Sequence, residues 1–142
     1  MTREEATAQV QRFLADHGLS SPGLNPKGLG GASIDGAQVY FQFLEPQGEL
    51  KASALIHKFR SRPKPQVLES FRTEQKEGTD AGGGAVDYEA VAKAVFLSRS
   101  YSSPVPGERF REEVDRLMEA AELWRKDVVP RVAERAFKHH LR

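Results

Sequence analysis

There is no cysteine among the 142 residues of this chain. That absence excludes disulfides, thiolate catalysis, iron–sulfur clusters and cysteine-ligated zinc, and it is compatible with either a reducing or an oxidising compartment. No run of about 20 apolar residues occurs, so nothing reads as a membrane span and no membrane partner is expected. The opening MTREEATAQVQ is polar and charged from its second residue, unlike a secretory leader, and the chain is expected in the cytoplasm. Net charge is scarce as well. Lys plus Arg number 21 against 20 Asp plus Glu, a formal +1, so no global field draws the chain to nucleic acid or anionic lipid. What remains, 39% apolar and 29% charged residues, is the composition of a globular protein. The length suits one domain, and the sequence predicts a single α+β domain over residues 1–128 with 129–142 as a helical arm continuing the last helix.

Thr2 followed by Glu5 has the spacing of a capping box, in which each side chain satisfies the other's backbone N–H, and predicts a helix to about residue 17. Ala6, Val10, Phe13 and Leu14 share one face of it, and Gly18 suits its C-terminal stop. Residues 19–31, with Pro22, Pro26 and Gly at 23, 28, 30 and 31, read as a loop. From residue 32 to 59 the period becomes two. Val39, Phe41 and Phe43 alternate with Tyr40, Gln42 and Leu44, Glu45-Pro46-Gln47-Gly48 supplies a turn, and residues 50–59 return as the second arm of a long antiparallel hairpin. Apolar groups on both faces predict helices over one face and, in part, a partner over the other.

Pro65 opens a short helix that buries Val67, Leu68 and Phe71 and ends before Gly78, after which residues 78–84 (GTDAGGG) read as a flexible loop. Residues 86–101 fit two patterns. One is a helix with Tyr88, Val91, Ala92, Val95 and Phe96 on one face after Asp87 as N-cap; the other is strands built on Val95, Phe96 and Leu97. The Ala-rich EAVAKA favours the first and VFLSRSY the second. Beyond Pro104 and Pro106, Phe110, Val114, Leu117, Ala121, Trp124 and Val128 recur at spacings of four, three, four, three and four, an amphipathic helix. Pro130 is expected to kink or interrupt it, with Val132, Ala136 and Phe137 carrying a second amphipathic piece.

Candidate chemistry is thin. Gly82-Gly83-Gly84 lacks the strand, helix and Lys-Ser/Thr pair that a phosphate loop requires. His17, His57 and the pair His139-His140 lie on separate elements without i,i+4 His spacing, so no metal site is expected; the last two suit the negative end of a helix dipole. No Ser-His-Asp or paired-carboxylate arrangement stands out, so the chain is read as non-enzymatic, with no catalytic residue and no cofactor. The tail carries Arg125, Lys126, Arg131, Arg135, Lys138 and Arg142 against Asp127 and Glu134, a basic arm suited to phosphates. It has no interleaved aromatics for base stacking, and protein contact through Val132, Ala136 and Phe137 fits at least as well. Phe110, Val114, Leu117 and Trp124 form a stripe that reads first as core and second as a dimer interface.

Val95-Phe96-Leu97-Ser98-Arg99 followed, after a Pro-containing turn, by FREEVDRLMEAAELWRKDV with Phe110, Val114, Met118, Ala121, Glu122 and Trp124 resembles the terminal strand and helix of the type III secretion chaperone (Tir-chaperone) superfamily. VQRFLADHGL with the hairpin is similar to the family's N-terminal part, so the likeness spans most of residues 3–128, and YbjN-like domains share the element order. The resemblance implies a twisted antiparallel sheet packed by N-terminal, middle and long C-terminal helices, with residues 86–101 as strands. It also implies a cytoplasmic homodimer that holds an extended stretch of a client or effector protein without catalysis. Tyr40, Leu55, Phe59 and Val67 would take alternate client side chains while strand edges supply hydrogen bonds. Two features depart from the pattern: a pI near 8.0 where these chaperones are generally acidic, and a chain that continues past Pro130. A YbjN-like regulatory role, and nucleic-acid contact through the basic arm, are the alternatives.

Overall fold

Thr2 Oγ1 accepts the Glu5 N–H at 3.1 Å while the Glu5 carboxylate accepts the Thr2 N–H at 2.9 Å, and helix α1 (Arg3–Asp16) starts from this reciprocal cap. The computed structural model describes residues 1–140, with side chains through residue 136. The readings that rest on the side chains of Phe137, Lys138, His139 and His140, and on Arg142, lie outside the described residues. Strands β1 (Leu29–Ile34), β2 (Ala37–Leu44) and β3 (Glu49–Lys58) follow α1, then α2 (Pro65–Lys76), β4 (Ala85–Glu89), β5 (Ala94–Tyr101) and α3 (Gly107–Leu123). A π-helical turn (Trp124–Val128) leads into α4 (Val129–His140). All strand pairs are antiparallel, in the order β1-β2-β3-β5-β4.

Two sequence readings change, one open alternative closes, and Pro130 interrupts the last helix through a wider turn. Residues 29–31 are strand rather than loop, paired with Gln42, Phe41 and Tyr40, so the expected hairpin is a three-stranded meander. Its first turn is Asp35-Gly36, with φ of 51° and 83°, the left-handed pair that a two-residue hairpin turn demands. The 86–101 ambiguity resolves to the β4–β5 hairpin, turning at residues 90–93, because tertiary pairing of Val95 and Leu97 against β3 and β4 outweighs the helix propensity of EAVAKA. The GTDAGGG segment is packed, not loose: Gly82 is buried where a Cβ would stand 2.7 Å from the Arg116 carbonyl oxygen. Pro130 follows an interruption of the α-helical pattern, the π turn, after which the helix continues as α4. The Val129 N–H reaches back five residues to the Trp124 carbonyl, and this wide turn accommodates a residue whose ring opposes an α-helical i−4 carbonyl and which has no N–H to donate.

The core lies between one face of the sheet and helices α1 and α3. Ala6, Val10, Phe13 and Leu14 on α1, Val39 and Phe41 on β2, and Phe110, Val114, Leu117 and Trp124 along the C-terminal helix are all at most 1% exposed. Phe13 meets Phe41 and Phe110 edge-on at 5.5 and 5.9 Å, and the Trp124 indole N–H donates to the Asp80 carbonyl at 2.8 Å. The four stripe residues thus face the chain's own interior. α2 flanks this layer at the β4 end of the sheet, where Phe71 packs on Phe59 and Gln75 Oε1 accepts the Val86 N–H at 2.8 Å. α4 lies against α2.

Candidate functional site

The helices cover only one face of the sheet. Along β2 and β3 the alternation places Val39, Phe41, Phe43, Leu50, Ala52 and Ala54 inward, which puts Gln38, Tyr40, Gln42, Lys51, Ser53 and Leu55 on the opposite face. Tyr40 stands opposite Ser53, and Leu55 opposite Phe96 of β5. The Tyr40 and Phe96 rings meet at right angles with centroids 5.8 Å apart, and Leu29 at the start of β1 is 43% exposed beside them. These groups border a shallow depression of about 200 Å³. Its polar rim is internally matched: Lys51 is paired with Asp87, Ser98 donates to Asp87, and Ser53 and Ser98 share a 2.8 Å hydrogen bond. An apolar floor with a satisfied polar border can accept side chains of another chain without stranding a polar group.

The edge beside this face is open. Phe43 donates to Gly28 at 2.8 Å, so the hydrogen-bonded pairs of the β1–β2 ladder run 28/43, 30/41, 32/39 and 34/37, and the backbones of residues 29, 31 and 33 point away from β2. Leu29 is closed off by Asn25, which donates its N–H to the Leu29 carbonyl and accepts the Leu29 N–H on its side chain. Gly31 and Ser33 keep both backbone groups outward with no partner among the described residues. At the other edge, Gln75 occupies the Val86 N–H of β4.

Of the residues the sequence singled out for a client, the structure brings Tyr40 and Leu55 together on the open face. Phe59 turns to the helical side, edge-on to Phe71, Tyr88 and His57. Val67 lines a separate groove of about 550 Å³ between α2 and α4 with Ser70, Val132 and Ala136, a place with no strand edge. Phe96 and Leu29 were missed. Phe96 sits in a run of four apolar residues, 94–97, where period alone does not say which ones face outward.

Arg131 and Arg135 of the basic arm, each half-exposed, meet a carboxylate. Glu74, its side chain 4% exposed on α2, accepts from Arg131 Nη2 at 2.8 Å, Arg135 Nη2 at 2.6 Å and Thr79 Oγ1 at 2.8 Å. The Arg131 hydrogen bond, working against the burial that would raise it, holds the Glu74 carboxyl at about 2. Arg125 and Lys126 are paired with Glu122. The arm's described cations are therefore largely neutralised within the chain. Lys138 and Arg142 lie outside the described side chains.

Among the described residues no group of three or more His, Asp or Glu converges as a metal site would require, and no helix is long and apolar enough to cross a membrane. The architecture itself is a type III secretion chaperone-like α+β fold. Solved structures similar to it include a chain of the ExsC–ExsE complex (TM-score 0.69, 15% identity, 88% of this chain and 94% of that one). A chain of the HopA1–SchA chaperone–effector complex gives a TM-score of 0.64 at 12% identity, over 87% of this chain and 95% of that one. The ExoT–SpcS complex from Pseudomonas aeruginosa gives 0.52 at 10% identity, over 84% and 95%. No protein-family model and no curated protein matches the sequence.

Proposed function

We propose that the chain is a non-enzymatic chaperone or adaptor that holds an extended segment of a client protein on its open sheet face. The observation that carries this is the joint presence of an apolar patch on the open face, with Tyr40 and Leu29 exposed and Leu55 half-buried around a Phe96 ring packed under Tyr40, and the unpaired backbone of Gly31 and Ser33 at the adjoining edge. A client strand laid along β1 forms main-chain hydrogen bonds with that edge, and alternate side chains reach the floor. The likeness of the fold to a chain of a chaperone–effector complex supports the reading. The homodimer and the cytoplasmic setting implied by the sequence resemblance belong to this proposal. Light scattering reads the first as a mass twice that of one chain, unchanged between low and high salt.

The test is a displayed library of 15-residue peptides selected on the full chain, with the hits measured by fluorescence anisotropy. Tyr40→Asp combined with Leu55→Asp is expected to weaken those hits at least tenfold, about 1.4 kcal/mol, while the thermal midpoint stays within a few degrees because both side chains are already solvent-accessible. Hits that bind the double variant as tightly as the parent chain would place the client elsewhere and sink the reading.

A further inference from the structure

Residues 50–68 contain five Lys or Arg and no Asp or Glu, although the chain as a whole is balanced. Lys51 is paired with Asp87. The other four, Lys58, Arg60, Arg62 and Lys64, are exposed, and among the described residues none has an ion-pair partner. A β-bulge sets their position. The register between β3 and β5 slips by one residue at Leu55/His57, so Ile56 and His57 both turn toward the helical side and Lys58, opposite Ala94, returns to the open face beyond Leu55 and Phe96. Arg60 and Arg62 continue into the β3–α2 connection, which ends at Lys64, held extended between Pro63 and Pro65 at the rim of the α2–α4 groove. Lys93, also exposed and without an ion pair among the described residues, joins them, since its carbonyl accepts the Phe59 N–H at 2.8 Å. α2 begins at this same point with no acidic residue in its first turn and no side-chain cap, so its positive end adds to the field.

Five neighbouring cations, none in an ion pair among the described residues and with Glu89 the nearest carboxylate across Ala94, repel one another, and an anionic partner lowers that cost. Resting on the client-holding reading above, we propose that this basic strip receives acidic side chains of the same client segment whose apolar side chains occupy the Tyr40–Phe96 floor. A polypeptide fits the face better than a polyphosphate backbone. Asp87 and Glu89 stand on the open face opposite Phe96 and Ala94, so a chain carrying a charge at every unit meets carboxylates on its way to the aromatic floor. A polypeptide carries carboxylates only where the strip lies. From Leu55 to Lys58 the strand advances roughly 10 Å, which places the client's acidic residues about three to eight positions from its apolar ones.

Two synthetic 15-residue peptides decide this. They share one alternating apolar pattern and carry either glutamate or lysine at the positions flanking it, with a 12-nucleotide oligothymidylate as the third probe. The acidic peptide is expected to bind the full chain at least tenfold tighter than the basic one, and to lose at least fivefold between 50 and 500 mM salt. Arg60→Glu with Arg62→Glu should abolish the preference while leaving the thermal midpoint unchanged. Tyr40→Asp should weaken both peptides alike, which reads the client face independently of the strip. Equal affinities for the two peptides in the parent chain overturn the strip's role and leave the client face standing. An oligothymidylate that binds tighter than the acidic peptide overturns it in favour of a phosphate site. If neither peptide binds, both readings fall together.

Discussion

Trp124→Ala is expected to cost about 4 kcal/mol of folding free energy, the range for truncating a large buried aromatic. Trp124 is fully buried where α3 passes into the π turn, and its indole N–H is engaged by the Asp80 carbonyl at the head of the glycine segment. The side chain therefore fixes two things, the packing of the C-terminal helix on the sheet and the position of the chain entering β4. For a domain of this length such a loss lowers the thermal midpoint by roughly 10–15 °C. Urea unfolding followed by far-UV circular dichroism measures it without depending on the tryptophan signal. Trp124→Phe keeps most of the apolar volume and gives up the hydrogen bond, so a smaller loss of about 1–2 kcal/mol is expected. An alanine variant with an unchanged midpoint and an altered mass in solution would mean that the stripe of Phe110, Val114, Leu117 and Trp124 works between chains, contrary to its burial within one.

The elements that were legible in the sequence are those whose partners are local or whose period is unambiguous. The Thr2–Glu5 cap needs only three residues of spacing, and both of its hydrogen bonds are present. The C-terminal stripe has one apolar face, and that face is inside. What stayed hidden depends on residues far away in sequence. β1 reads as loop because of Gly30 and Gly31, yet a Cβ at residue 30 would stand 2.4 Å from the Gly23 carbonyl oxygen, so glycine is what lets the strand pass under the preceding loop. Val95-Phe96-Leu97 obscured its own period because Phe96 meets Tyr40 on the open face while its neighbours enter the core. The basic arm was counted along one dimension. In the fold, Arg131 and Arg135 find Glu74, 57 and 61 residues earlier. The run without acidic residues from 50 to 68 was visible to simple counting, but only the bulge at Leu55/His57 shows that Lys58 shares a face with Tyr40.

Removing both arginines that hold Glu74 should reverse the sign of that one carboxyl's contribution to the chain's acid response. In the parent chain the Glu74 carboxyl titrates at about 2 against an ordinary 4.5, so it contributes stability that is fully present above pH 4.5 and is lost as pH falls toward 2. That gap corresponds to roughly 3 kcal/mol before solvent screening of the half-exposed arginines, and to about 1–2 kcal/mol after it. Arg131→Ala with Arg135→Ala leaves a nearly buried carboxylate with Thr79 as its remaining side-chain partner, so the variant is expected to be clearly less stable than the parent at pH 7. Burial then dominates and pushes the Glu74 carboxyl above its ordinary range. The variant consequently regains part of its deficit as pH falls from 7 through 5, because the neutral acid tolerates the site that the anion does not. Urea midpoints of both chains between pH 3 and 7 provide the comparison: the difference between them should narrow on acidification. A difference that stays constant over that range would mean that the arginines hold α4 against α2 by packing alone, with Glu74 hydrated once they are gone.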